Sequence, residues 1–352
     1  MTDDKKKEKP VWIKGIGWRY ETKHNMHRRM KNHNYYGRSI YMITMCVEGR
    51  KPLLGNLLWK AQDASDAHVE ASELGAEVER CWFEISDHYP DAEPLKIQLM
   101  PDHIHGLIFV KREQEAHLGK ILNGFKMGCN KALRKIMGMP VQCSEALPLN
   151  TSPKHPKIGF LFEPGYNDSI LKGPNQLENM NNYMDDNPRR LAIKRLYPNL
   201  FKQVWNQTIG STTYAIFGNS WLLNRPVRMQ VKCHRSDSEE NLKLIERQKA
   251  HFLEQAKKGA VIVCPCISTG EKEIARAILE AKLPLIVILE NGFSPKYKPP
   301  GQYFDACADG RLLMLAPWPY HTEKRKITRQ QCNQLNNMAA EISSVPWNED
   351  EF

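Results

Sequence analysis

No apolar run in the sequence reaches the about 20 residues that a membrane-crossing helix requires. The opening stretch MTDDKKKEKP also lacks the apolar core of a signal peptide. A cytoplasmic chain with no membrane partner is expected, associated with the nucleoid if it binds DNA. The nine cysteines include no paired C-x-x-C. Cys264 and Cys266 form a lone C-P-C beside an apolar run, where buried reduced thiols are the ordinary outcome. A disulfide framework and a structural zinc are therefore not expected. There is no internal repeat, and no low-complexity segment beyond the N-terminal arm.

What is present describes a globular chain. Its 352 residues exceed one ordinary core, so two domains are expected. The content is 41% hydrophobic and 26% charged. The formal charge of +10 favours a polyanionic partner, although charge alone puts nucleic acid only slightly ahead. Lys5, Lys6, Lys7, Lys9, Lys14, Arg19, Lys23, Arg28, Arg29, Lys31 and Arg38 crowd the first forty positions. Trp12, Trp18, Tyr20, Tyr35 and Tyr36 are interleaved among them, and such rings can stack on unpaired bases. A solvated terminal arm over 1–37 competes with that reading.

Two sections follow the arm. In 38–204, SIYMITMCV reads as a strand. The stretch from Asp63 to Tyr89 reads as a helix behind an acidic first turn, with Val69, Leu74, Val78 and Trp82 at helical spacing. LKIQLMPDHIHGLIFV is a second strand interrupted at Pro101, and a basic helix follows on Leu118, Ile121, Leu122 and Phe125. A Pro-rich loop over 139–159 leads to FEPGYNDSIL and a helix around NQLENMNNYMDDN. Strand–helix–strand–helix with long-range pairing is an α+β pattern. In 205–352, continuous apolar strands (GAVIVCPC, PLIVILENG, GRLLMLAPWP) alternate with helices, indicating a smaller α/β domain with a parallel sheet.

His103 and His105 lie two apart in a strand and project from one face. Two such imidazoles can hold one divalent cation and leave positions open for a substrate oxygen. For an arbitrary H-x-H, one core and one solvated histidine is the plainer reading. Here M-P-D-H-I-H-G is followed by L-I-F-V, and Y-M-D-D-N-P runs from Tyr183 to Pro188. F-E-P-G-Y-N-D-S-I-L precedes it. In that order these blocks resemble the HUH signature of single-tyrosine transposases, in particular the REP-associated tyrosine transposases and their insertion-sequence-200 relatives. The resemblance covers roughly Arg38 to Leu200 and implies a ferredoxin-like antiparallel sheet.

It further implies that His103 and His105 are metal ligands and that Tyr183 is the nucleophile, leaving a 5′-phosphotyrosine and a free 3′-hydroxyl. Asn187 matches the polar residue that completes the metal shell. An i, i+4 pair shares one helix face, so Tyr183 and Asn187 can approach one metal together. Pro188 disfavours α geometry at Asn187, and an end of the helix at that point is one expectation. A tyrosine with a pKa of about 10 is a poor nucleophile until deprotonated. The anionic phosphodiester must also be neutralised, a role for Mg²⁺ or Mn²⁺, between which imidazole and amide donors do not choose. The implied activity is metal-dependent cleavage and strand transfer on single-stranded, hairpin DNA. The alternative is a domesticated protein that binds hairpins without cutting. Monomer and homodimer with exchanged helices are both open.

Asp102 and Asp168 are either acceptors behind the histidines or turn and cap residues, the latter favoured for Asp168. Lys126, Lys131 and Arg134 on the middle helix, with Arg189 and Arg190 after Tyr183, are candidate phosphate contacts, about evenly balanced against a solvated face. Further on, C-P-C-I-S-T-G-E-K-E joins a strand to a helix. Ser268, Thr269 and Gly270 are candidate anion binders there, with an ordinary capped turn as the plainer reading. Together with G-A-V-I-V, L-P-L-I-V-I-L and I-T-R-Q-Q-C-N-Q-L-N, this loop resembles the Rossmann-like domain of the DNA-processing protein A (SMF) and lysine-decarboxylase-like group. Single-stranded DNA or nucleotide binding is what that resemblance implies. The paired glycines of its nucleotide-hydrolysing members are missing.

Overall fold

The computed structural model describes residues 11–13, 17–19, 30, 33–139, 160–233, 238–295, 297–323 and 325–345. Two compact units, Met1–Ala192 and Ile193–Phe352, divide earlier than the boundary read after 204. The loop 140–159 lies outside the described residues, as do Lys5, Lys6, Lys7, Lys9, Lys14, Lys23, Arg28, Arg29 and Lys31. Within the arm, β1 (Val11–Ile13) and β2 (Gly17–Arg19) pair antiparallel, with Trp12 opposite Trp18.

The first unit contains β3 (Ser39–Cys46), β4 (Gly55–Leu58), β5 (His68–Ala71), α1 (Glu73–Phe83), α2 (Ile85–His88), β6 (Ala92–Met100) and β7 (His103–Val110). It continues through α3 (Leu118–Ile136), β8 (Asn167–Leu171) and α4 (Gln176–Leu196). Four strands form an antiparallel sheet in the order β6-β7-β3-β8. The helix expected from Asp63 begins only at Glu73. Asp66 instead accepts the amides of Lys60 and Ala61 in a turn, and His68–Ala71 pairs with Gly55–Leu58. Ser72 then caps α1 by accepting from the Gly75 amide.

Strand alternation sorts this sheet into two faces. Tyr41, Ile43, Met45, Ile104, Ile108 and Val110 point to one face and form the main core with Val78 and Trp82 of α1 and Leu118, Ile121, Leu122 and Phe125 of α3. Gly106 belongs to this side. A Cβ there would overlap the Trp82 indole, so glycine lets the ring lie on the strand. Met42 and Leu107 point to the other face and meet Met184 of α4, with Leu177, Met180 and Tyr183 partly buried around them.

Tyr35, expected as a ring free to stack, is 5% exposed in the main core. Its hydroxyl donates to Asp168 Oδ2 at 2.9 Å. Asp168 thus lies within β8, paired with Ile43 and turned away from the histidine face, neither a cap nor a support for a metal ligand.

The second unit contains β9 (Val204–Ile209), β10 (Thr212–Gly218), β11 (Arg228–Gln230), α5 (Glu239–Lys257), β12 (Val261–Cys264) and α6 (Thr269–Glu280). β13 (Leu285–Ile288), α7 (Gly301–Ala308), β14 (Leu312–Ala316) and α8 (Arg329–Ile342) complete it. Its sheet runs β11-β12-β13-β14-β10-β9. The first four strands are parallel as expected, but β10 and β9 are antiparallel, so the sheet is mixed. The β9–β10 hairpin was missed because β9 is largely exposed and shows no apolar run, while its turn rests on Gly210 at φ +59.

The four parallel strands lie in chain order, without the reversal that makes a Rossmann crevice. Successive crossovers then fall on one face, where α5, α6 and α7 bury Phe252, Ala256, Ile274, Ile278 and Ala306. On the other face α8 buries Leu335, Ala339 and Ile342.

Candidate active site

Two strands and one helix build the site. His103 and His105 are successive same-face residues of β7, their ring centroids 4.9 Å apart and their planes at 89°. His105 is 6% exposed. Its Nδ1 lies 2.9 Å from Thr44 Oγ1, because β3 and β7 pair Thr44 directly with His105. His103 Nδ1 lies 2.6 Å from Asp102 Oδ1, and Arg50 Nη1 lies 3.3 Å from Asp102 Oδ2. Burial pushes the Asp102 carboxyl up, but His103 and Arg50 outweigh it and hold the group below its usual range. Both imidazoles are thus gripped at Nδ1, and Nε2 is the nitrogen a metal would take.

α4 supplies the remaining groups. Met184 is fully buried against Met42 and Leu107, and this fixes which face of the helix meets the sheet. The residue just before it, Tyr183, then has its ring 5.8 Å from the His105 ring. The pair is thus assembled within a single chain. Lys96 of β6 and Asp185 of α4 form an ion pair at 2.6 Å across the same face.

The helix does not end at Asn187. It continues through Pro188 to Leu196. Proline removes one hydrogen bond there, and Asp186 ties the following turn by pairing with Arg189 at 2.5 Å and Arg190 at 3.8 Å. Asn187 stays on the Tyr183 side, one turn on. Its Nδ2 is buried with no hydrogen-bond partner.

Among the described residues no group of three or more His, Cys, Asp or Glu is placed to hold a metal. A metal centre here would rest on the two imidazoles, with the Asn187 amide oxygen as the candidate third donor. Histidines gripped at Nδ1 present Nε2, a donor that fits a divalent cation, whereas the orphaned Asn187 Nδ2 is an N–H donor and only the carbonyl oxygen of that amide could join them.

The candidate phosphate contacts separate. α3 packs on the sheet face opposite the histidines, so Lys131 and Arg134 do not flank them. Lys126 is 2% exposed, and its ammonium donates to the carbonyls of Glu163 and Gly165 at 2.7 and 2.5 Å. It anchors the entry to β8 and is turned away from solvent. Arg189 and Arg190 follow Tyr183 on α4, both held by Asp186. Thr44 and Arg50 are the functional candidates that the sequence reading missed. Only the β3–β7 register brings Thr44 to His105, and no local spacing signals it.

In the second unit the anion position is filled from within. Ser268 caps α6, and the amides of Ile267 and Ser268 donate to Glu271 Oε2 at 2.6 and 3.1 Å. Burial pushes the Glu271 carboxyl up against the pull of these amides. A Cβ on Gly270 would meet Ile245 Cδ1 at 2.9 Å, so this glycine serves the packing of α5 on α6. Thr269 is exposed beside them. The capped-turn reading describes Ser268, Thr269 and Gly270.

No family model matches the chain. An uncharacterized protein of Haemophilus influenzae is 22% identical over 186 residues, spanning 49% of this chain and 93% of its own. Three solved structures resemble parts of the fold. A REP-associated tyrosine transposase bound to a REP hairpin covers 46% of this chain and 72% of its own, at 10% identity and TM-score 0.29. The DNA processing protein A of Helicobacter pylori, described for its single-stranded DNA binding mode, covers 42% and 68%, at 15% identity and TM-score 0.31. A putative transposase of Deinococcus radiodurans covers 45% and 97%, at 13% identity and TM-score 0.24. Superpositions at these scores assign neither an activity nor a ligand.

Proposed function

We propose that the first unit is an HUH-type single-strand DNA nickase and strand transferase, with Tyr183 as the nucleophile. The observation that carries this reading is the placement of Tyr183 beside His105 and its neighbour His103 on one face of one sheet, from β7 and a helix far along the chain. The sheet order β6-β7-β3-β8, with α1 and α3 on the opposite face, supports a ferredoxin-like core. A divalent cation, Mg²⁺ or Mn²⁺, held by His103, His105 and Asn187 would neutralise and polarise the scissile phosphate.

The residues of the chain divide the remaining work. Asp102 and Thr44 orient the two imidazoles, and Met184 seats α4 so that the phenol faces them. The Tyr183 oxygen bonds to phosphorus while the 3′-oxygen leaves, so the strand 3′ of the cut stays on the protein. That linkage preserves the energy of the broken diester, and rejoining needs no ATP. Arg189 and Arg190 are candidate backbone contacts beside the attacking group. The substrate class is single-stranded or hairpin DNA, and the site could serve either a monomer or a homodimer.

The test is a hairpin oligonucleotide labelled at its 3′ end and incubated with Mn²⁺. Wild type is expected to form a denaturant-resistant labelled adduct and Tyr183→Phe none. No adduct in wild type, or an adduct in the variant, overturns the assignment. Hairpin binding without any adduct would favour the non-cleaving protein.

A further inference from the structure

The thiols of Cys264 and Cys266 occupy the carboxyl end of β12, in the unit that the nickase reading does not use. Cys264 is the last residue of the strand and is fully buried, while Cys266 is partly exposed in the loop before α6. Their sulfurs are 3.3 Å apart, inside the ordinary contact distance of two non-bonded sulfurs.

The backbone is shaped to bring them together. Pro265 fixes its own φ, and Cys266 adopts φ +52, a left-handed conformation that side chains other than glycine and asparagine rarely take. Such a conformation persists only where its surroundings require it. Here the turn is clamped from both sides. Cys264 Sγ donates to the Glu271 carbonyl at 3.4 Å, and the Glu271 carboxylate takes the amides of Ile267 and Ser268.

We propose that Cys264 and Cys266 form a reversible redox site that closes to an intramolecular disulfide when a low-molecular-weight disulfide, such as glutathione disulfide, reaches the loop. Cys266 is the thiol that the oxidant meets. Its thiolate attacks one sulfur of glutathione disulfide and expels one glutathione thiolate, giving a mixed disulfide. Cys264 then loses its proton and attacks Cys266 Sγ, expelling the second glutathione. The two cysteines lose two electrons and two protons, and glutathione disulfide becomes two glutathione thiols. Burial pushes the Cys264 thiol up, so the second step relies on the short reach between the sulfurs. Closure removes the Cys264 S–H that donates to the Glu271 carbonyl, and so registers at the start of α6.

The tryptic peptide Gly259–Lys272 contains these two cysteines and no other, which makes the site readable by mass spectrometry in the whole protein. After glutathione disulfide and quenching with an alkylating agent, wild type should yield this peptide unalkylated and lighter by two hydrogens. Reductant should restore double alkylation. Cys264→Ser should accumulate the glutathione adduct on Cys266, and Cys266→Ser should leave Cys264 without an adduct. Double alkylation of wild type after oxidant, or a glutathione adduct that persists there unresolved, overturns the proposal. Should Cys264→Ser not fold, the wild-type and Cys266→Ser results decide it alone.

Discussion

Thr44 Oγ1 meets His105 Nδ1 at 2.9 Å across the β3–β7 pair, so a hydroxyl on one strand sets the orientation of an imidazole on the next. Removing such an outer partner commonly costs about 10–100-fold in metal affinity. Thr44→Val should weaken Mn²⁺ binding on that scale in titration calorimetry while its circular dichroism stays unchanged. Thr44→Ser should restore the affinity. Equal Mn²⁺ affinity in Thr44→Val and wild type would remove the positioning role.

Lys126 places a charge inside the first unit and satisfies two carbonyls with it. Lys126→Met leaves both acceptors unpaired, at about 1–3 kcal/mol. Urea denaturation should show this loss. The salt dependence of DNA binding should keep its slope, because no phosphate contact is lost. A shallower slope would instead mean that this ammonium reaches DNA.

Gly106→Ala drives a methyl into the Trp82 ring, which is fully buried between the sheet and α1. Overpacking of this kind costs about 1–3 kcal/mol. The denaturation midpoint should fall, and near-ultraviolet circular dichroism should report a displaced indole. An unchanged midpoint would show that the ring yields without strain.

His33 Nε2 lies 2.8 Å from the buried Tyr41 hydroxyl, with the Tyr35 ring edge-on at 4.7 Å. Burial lowers its pKa below 6.5, Lys172 adds to this and Asp168 opposes it. A depressed value means that the unfolded chain takes the proton first. The stability His33 contributes is present above pH 6.5 and lost as pH falls through the lower native value. Chemical denaturation of His33→Gln across this range should lose less stability on acidification than wild type. Parallel curves would assign the pH dependence to other groups.

The α+β character of the first section and the shared face of His103 and His105 were legible because each rests on a local period, whereas the roles of those histidines and of Tyr183 are what the family resemblance implies. Alternation puts His103 and His105 on one face, and helical spacing puts Tyr183 and Asn187 on another. β9 was missed because an exposed edge strand carries no apolar signal. The early part of the expected α1 was misread because Val69 fits a helical spacing as well as a strand. At Ser268, the anion that its helix end attracts is the chain's own Glu271, three residues on, and this favours the capped turn over an external ligand.

By itself the sequence determined which neighbours share a face, since strand and helix periods are local properties of the backbone. The tertiary structure decided which faces meet. The pairing of β3 with β7 brought Thr44 to His105, and the packing of Met184 on Leu107 turned Tyr183 toward that histidine. The same alternation put α3 on the opposite face, separating Lys131 and Arg134 from a site they adjoin only along the chain. Register and face selection depend on contacts between residues distant in sequence, and no local spacing encodes them.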